Sequence, residues 1–402
     1  MRSKLFSLMV VFALLLGTFG TALAQEMPKP FCGDLAAEDC DLLMASQEAM
    51  MGVTSYKSAA TYDAVLSGIP GLPAKEVAVS VAVGGAFSSD EAALAAMQSM
   101  VGKTQADIVA MLAEDGTPLV DLLSGWNVDA TVSVDMTPEL ADAFAAQAGG
   151  IAIPATASVG IILVNGVLYA DLTEIAPLAP GVPEGWIGIS VAELVQAQVD
   201  AGVFAAAAAQ MDPAALDPTT AAALGVQGML MGDMSAMEQF ITVERVDDTD
   251  VDGQAAAVIV TSFDVGGLVA SPEFADLVKT LAASGALGAD APSAADIDQV
   301  LTMIPMVGPM IFEGLSVGGS TTIGIDDNFV YDATAEFMWD LSGLIQMAAM
   351  SGQLPEGIVA GDTVAIDIMT DIADSEFNVE QTIEAPADAM MIPLEAFAAP
   401  AQ

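Results

Sequence analysis

The feature that most constrains this chain is a period of two. Residues 126–136 carry Val128, Ala130, Val132 and Val134 at every second position, the pattern of a strand with one face on a core and the other in solvent. Residues 54–66, 76–83, 155–164, 167–175, 241–247, 254–264, 315–325, 329–341, 363–372 and 376–384 also read as strands. Glycine, proline, aspartate and asparagine punctuate them, and Asn165-Gly166 is the pair best suited to a type I′ hairpin turn. Helical spacing intervenes at 35–51, 91–112, 191–211, 214–240, 272–284 and 294–312, with breaks at Pro213 and Pro218. Strands and helices in this uneven order predict an α+β protein.

Charge and composition exclude several functions. The 402 residues contain no histidine, and 8 basic residues stand against 54 acidic ones. Triad hydrolysis and His-ligated zinc therefore lack their central side chain, and a non-enzymatic binding protein is the expectation. Arg2 and Lys4, an apolar run over residues 5–16 and Ala22-Leu23-Ala24 form a signal-peptide pattern over 1–24. The expectation is a secreted or extracytoplasmic protein of the cell envelope with no integral membrane span. Cleavage would remove two cations and no acid, taking the net charge from −46 to −48. Such a surface repels nucleic acid and anionic headgroups and favours a monomer.

Cys32 and Cys40 are the only cysteines, and in an oxidising compartment they predict a disulfide near the mature N-terminus. The core draws on a 54% hydrophobic composition with only 5% aromatic residues and 24 Met. Met229, Met231, Met234 and Met237, then Met303, Met306 and Met310 with Phe312, recur at helical spacing. Soft, flexible side chains of this kind accept irregular apolar ligands, though core filling explains any single Met as well. With Trp339 they are the candidate ligand-binding residues. A cation meeting a lipid headgroup at the mouth would have to be one of Lys57, Lys75, Lys103, Arg245 and Lys279.

Other motifs fail on inspection. Gly314-Leu315-Ser316-Val317-Gly318 matches a nucleophile elbow that has no histidine to serve it. Gly102-Lys103-Thr104 ends like a P-loop, but Met97 stands where the cradle would begin. Asp248, Asp250, Asp252 and Gly253 match the first half of a calcium loop, yet Ile259 occupies the position of the bidentate Glu. An acidic hairpin turn is the better reading, a weak calcium site the alternative, and no cofactor is expected. Residues 161–171 and 322–332 share a strand, turn, aromatic-strand order; ordinary hairpin chemistry is the better account of it, internal duplication the alternative.

The strings ITVERVDDTDVDGQAAAVIVTSFD (241–264), TTIGIDDNFVYDATAEF (321–337) and VAIDIMTDIADSEFNVEQTIEAPADAMMIPLEAF (364–397) resemble the LppX/LprG-type envelope lipoproteins, relatives of the LolA-like carriers. The resemblance is strongest over 241–397 and fainter over 35–175. It implies a large curved antiparallel half-barrel with helices on its concave face, enclosing an apolar cavity for acyl chains. The acylated N-terminal Cys of lipid-anchored members has no counterpart here, and no catalytic residue carries over. The division is then a signal peptide, an N-terminal half over 25–240 and a C-terminal, LppX/LolA-like half over 241–402. The function expected is the binding of a lipid or other apolar small molecule; a structural or adhesion protein with an acidic, calcium-binding surface is the alternative.

Overall fold

Where the sequence alternates, the chain pairs. The computed structural model describes residues 30–393 except 102, 104, 148–151, 179–181, 205–236, 247, 284–296, 300, 303, 305–307, 309–310, 313, 353, 355–357 and 360–362. The signal-peptide segment therefore lies outside the described residues. The strands are β1 (Ser55–Ser67), β2 (Glu76–Ser89), β3 (Trp126–Met136), β4 (Thr156–Val164), β5 (Val167–Asp171), β6 (Trp186–Ser190), β7 (Ile241–Arg245), β8 (Thr249–Val251), β9 (Gln254–Phe263), β10 (Leu315–Gly324), β11 (Val330–Asp340), β12 (Ala365–Ser375) and β13 (Met390–Met391). They form one open sheet in the order β13-β6-β5-β4-β3-β2-β1-β12-β11-β10-β9-β7, with β8 on β9. Every pairing is antiparallel except the two-residue contact of β13 with β6.

The strands descend across the sheet from β6 to β1, then from β12 to β7. This is an up-and-down meander joined between β1 and β12, and among the described residues β6 and β7 do not pair. The β1–β12 ladder runs in unbroken register from Lys57↔Ser375 to Ser67↔Ala365. It is the seam that makes one sheet of the two halves of the chain.

Register also sorts side chains into two faces, because residues paired across an antiparallel ladder point the same way. Following Val132 through the ladders gives Val159 on β4, Val83 on β2, Ala60 on β1, Ile372 on β12, Ala333 on β11, Thr321 on β10 and Ile259 on β9. The neighbouring row gives Ser158, Ser133, Ala82, Thr61, Asp371, Thr334, Ser320 and Val260. One face is thus dominated by apolar residues and the other is rich in small polar and acidic ones.

Where the core clusters join helix to sheet, the packing is on the apolar face, and burial there stabilises both. The helices with described bounds are α1 (Ala37–Met51), α2 (Glu91–Met100), α3 (Gln105–Glu114), α4 (Thr117–Gly125), α5 (Pro138–Gln147), α6 (Val191–Asp200), α7 (Val265–Ala270), α8 (Pro272–Ala283) and α9 (Ser342–Ser351). Leu123 of α4 and Val191 of α6 pack on Leu163, Val128 and Leu168. Leu42 and Leu43 of α1 pack with Val243, Ile259 and Ile323. The start of α1 is held by the Cys32–Cys40 disulfide, with Cα atoms 5.4 Å apart, and by Asp39, which pairs with Arg245 on β7. Among the described residues no helix is long and apolar enough to cross a membrane.

Several local expectations change. The helix read over 91–112 is two, because the chain leaves the helix after Met100, where Val101 turns extended at ψ 135°; Gly102 in the sequence disfavours continuation. The short helix α4 was missed although Pro118 opens it and Leu119, Leu122 and Leu123 have helical spacing. The strand read over 376–384 does not exist: β12 ends at Ser375, and Glu376 and Asn378 take φ of 52° and 57°, turning the chain off the ladder. At the hairpin, Asn165 and Gly166 have φ of 51° and 72°, as a type I′ turn requires. Asp252 and Gly253, at 54° and 87°, form a second such turn between β8 and β9.

Two glycines give opposite expectations. A Cβ on Gly319 of β10 would lie 2.1 Å from the Thr334 carbonyl oxygen, whereas one on Gly343 of α9 meets nothing within 4 Å. Gly319→Ala should lower unfolding free energy by about 1–3 kcal/mol through forced backbone displacement, and Gly343→Ala should raise it by about 0.4–1 kcal/mol. Guanidinium unfolding of the two variants reads both signs.

Candidate functional site

The apolar face is covered unevenly. Helix-borne clusters occupy its flanks, and Ile345 of α9 packs with Val364 and Ile69 beside the start of β12. Between them, among the described residues, the middle of the β1–β12 seam is open: Tyr62 and Ile368 are each 44% exposed. Tyr62 stands opposite Val81 and Thr370, and Ile368 opposite Ala64 and Phe337. Apolar side chains at the centre of so large a sheet, flanked by helices but left part-wet, make a surface suited to an apolar ligand.

Of the ligand-binding candidates, Phe312 and Trp339 come together. Their rings stack with centroids 5.9 Å apart, and the Trp339 Nε1–H donates to the Ile311 carbonyl at 3.1 Å. Trp339 lies on the apolar face, opposite Leu315 and Ile366. Met229, Met231, Met234, Met303, Met306 and Met310 lie outside the described residues.

At the other end of the face the structure assembles a group that the sequence did not reveal. Tyr56 stacks on Phe87 at 4.9 Å and on Phe377 at 6.4 Å. Phe377 stacks on Phe329 at 4.6 Å and meets Tyr331 edge-on at 5.3 Å. Asp374 sits beside this cluster, paired in register with Ser58, whose hydroxyl bonds its carboxyl. Its Oδ1 is buried without a hydrogen-bond partner. Burial pushes the Asp374 carboxyl above its ordinary range despite Ser58, and burial followed by the Asp374 charge pushes the Tyr56 hydroxyl up to about 12. Period-two spacing along 366–374 was the only available signal, and it does not report which rings surround the acid.

The segment after β12 straps the cluster down. Asn378 Oδ1 accepts from the Thr54 amide at 2.8 Å, Ser55 Oγ donates to the Val379 carbonyl at 2.8 Å, and Lys57 pairs with Glu376 at 2.8 Å.

The polar face holds two open depressions. One, of about 600 Å³, is lined by Ala59, Gly84, Ala86 and Ala373 with Lys57 and Asp129. The other, of about 580 Å³, is lined by Ser80, Ala82, Ser133 and Ser158 with Asp135 and Glu174. On this face burial, then the charge of Asp371, raises the pKa of Asp332.

Three of the candidate headgroup cations are already paired. Lys57 meets Glu376, Arg245 meets Asp39 and Asp248, and Lys279 meets Asp298. In the acidic hairpin, Asp248 accepts from Arg245, while Asp250 Oδ1 accepts from the Gly253 amide at 2.8 Å and so pins the turn. Among the described residues no three His, Cys, Asp or Glu side chains gather as a metal site.

No protein-family model matches the sequence, and no curated protein matches it. Among solved structures the chain is similar to the Mycobacterium tuberculosis lipoprotein LppX, with 10% identity, 86% of this chain and 100% of that chain covered, and a TM-score of 0.25. It is also similar to LprF from Mycobacterium bovis, at 10% identity with 86% and 96% covered and a TM-score of 0.27.

Asp374 generates a pH prediction. Its folded pKa lies above the unfolded value of 3.8, so the folded protein holds a proton that the unfolded chain has released. Its contribution is complete below the unfolded value and is lost as pH rises to the raised folded value. Asp374→Asn should therefore stabilise the protein at neutral pH and change little in acid. Paired denaturant titrations at the two pH values check this; equal shifts at both would show that the charge of Asp374 carries no penalty.

Proposed function

We propose that the protein is an exported, non-catalytic carrier that holds a lipid or other acyl-bearing molecule against the apolar face of its open sheet. The observation that carries this reading is the exposure of Tyr62 and Ile368 at 44% each in the centre of a face that is buried at its flanks. A sheet that served only as scaffold would bury such residues under its helices, since each buried apolar side chain stabilises by about 1.5–3 kcal/mol. Binding draws on the same term, about 0.8 kcal/mol per CH₂ removed from water. The absence of histidine from the sequence and the apolar character of this surface support binding rather than turnover.

In this reading Phe312 and Trp339 close one end of the ligand's path, and the Met side chains at 229, 231, 234, 303, 306 and 310 supply adaptable apolar contacts. Residues 1–24 act as the export signal, so the mature chain works as a monomer in the oxidising envelope or outside it, where the Cys32–Cys40 disulfide is stable. The two halves, 25–240 and 241–402, share one sheet and one ligand.

Native mass spectrometry of the mature chain purified from a lipid-containing host should show an adduct of lipid mass. Saturated fatty acids should bind more tightly as they lengthen, by about tenfold for every two CH₂ groups until the face is covered. Ile368→Arg, at an exposed position, should leave folding intact and weaken binding of the long acids by about tenfold or more. A protein that carries no adduct and shows no dependence on chain length would overturn the carrier reading in favour of an acidic structural module.

A further inference from the structure

The aromatic cluster around Asp374 has chemistry beyond closing one end of the sheet. Three of the 15 Phe and two of the 4 Tyr residues converge there, from β1, β2, the β10–β11 turn, β11 and the segment after β12. Aromatic faces carry negative quadrupole charge and attract cations, most strongly when water is excluded. Asp374 brings a carboxyl to the same place, and its Oδ1 has no partner. A buried acceptor left unpaired destabilises unless some group completes it.

Among the described residues no cation bonds it. Lys57 belongs to the opposite face, one residue from Ser58, and is held by Glu376 at 2.8 Å; Arg245 is held by Asp39 and Asp248. A net charge of −46 further disfavours an anionic ligand and favours a cationic one.

We propose that the cluster of Tyr56, Phe87, Phe329, Tyr331 and Phe377 with Asp374 seats the alkylammonium head of an amphipathic ligand whose chain lies along the apolar face. The proposal rests on the carrier reading and names the chemistry of the ligand's polar end. Asp374, Ile372, Thr370 and Ile368 follow one another on the same side of β12, so the carboxyl lies roughly 20 Å from the exposed centre of the face at a strand rise of about 3.4 Å per residue. Head and chain therefore find their sites on one continuous surface. Phe377 lies over the seat on a short strap that leaves β12 through the left-handed Glu376 and Asn378. The ring closes over the head once it has entered, so the ammonium lies against Asp374 with Tyr56, Phe329 and Phe377 around it.

The test compares alkyltrimethylammonium, alkyl maltoside and alkyl sulfate of one chain length by calorimetric titration of the mature protein, below their micelle concentrations and at physiological salt. The ammonium amphiphile should bind roughly tenfold more tightly than the neutral one. Asp374→Asn should abolish that preference and leave maltoside binding unchanged. Asp129→Asn makes the same charge change on the opposite face and should keep the preference, which separates the seat from the general field of an acidic protein. Phe377→Ala should reduce the preference several-fold while keeping the carboxyl, and serves as the second readout if Asp374→Asn does not fold. A preference that survives Asp374→Asn or Phe377→Ala, or that Asp129→Asn removes equally, overturns the proposal. Binding of all three amphiphiles without preference defeats the seat and leaves the carrier; binding of none defeats both.

Discussion

The pairing of the first strand with the last long one holds this architecture together. β1 and β12 lie about 300 residues apart in sequence, as Lys57↔Ser375 and Ser67↔Ala365 show, yet they share an unbroken antiparallel register. Every other long ladder joins strands nearer in sequence, so each half could form a meander alone. The seam merges them and places Tyr62 and Ile368 at the centre of a single face. Closing so long a loop is slow and entropically unfavourable, and the apolar area continuous across β12, β1 and β2 offsets it.

One sheet then presents two chemically distinct surfaces. The polar face is lined by alanine, glycine, serine and aspartate, with Lys57 its one cation on the β1–β12 seam. The apolar face is where the helices lie, and their uneven coverage creates the opportunity for a ligand. Asp374 is the exception on that face: a carboxyl among rings, with its proton held more tightly than an ordinary aspartate. Polar groups placed this way are expensive in folding, so their presence directs attention to binding.

Much of the scaffold was legible from spacing. β3 matches its period-two stretch residue for residue over 126–136, and Asn165-Gly166 turns as its composition requires. The Cys32–Cys40 link forms, and the tract Asp248-x-Asp250-x-Asp252-Gly253 is a hairpin whose middle aspartate holds the turn. The errors have equally local causes. A window wide enough to see helix over 91–112 passed over the break after Met100, and alternation in 376–384 was read as pairing although Glu376 and Asn378 turn the chain off the ladder. The aromatic cluster was not legible at all, since Tyr56, Phe87, Phe329, Tyr331 and Phe377 span more than 300 positions and only pairing brings them together.

The sequence by itself determined most of the long strands, their hairpin turns, the acidic charge and the lack of imidazole chemistry, because each depends on residue identity or on neighbours a few positions away. Which strands stand side by side, and so which apolar residues merge into one exposed face and which acid lies beside the ring cluster, was decided only by the tertiary structure. A period of two says which side of its own strand a residue occupies; long-range register says what lies beside it.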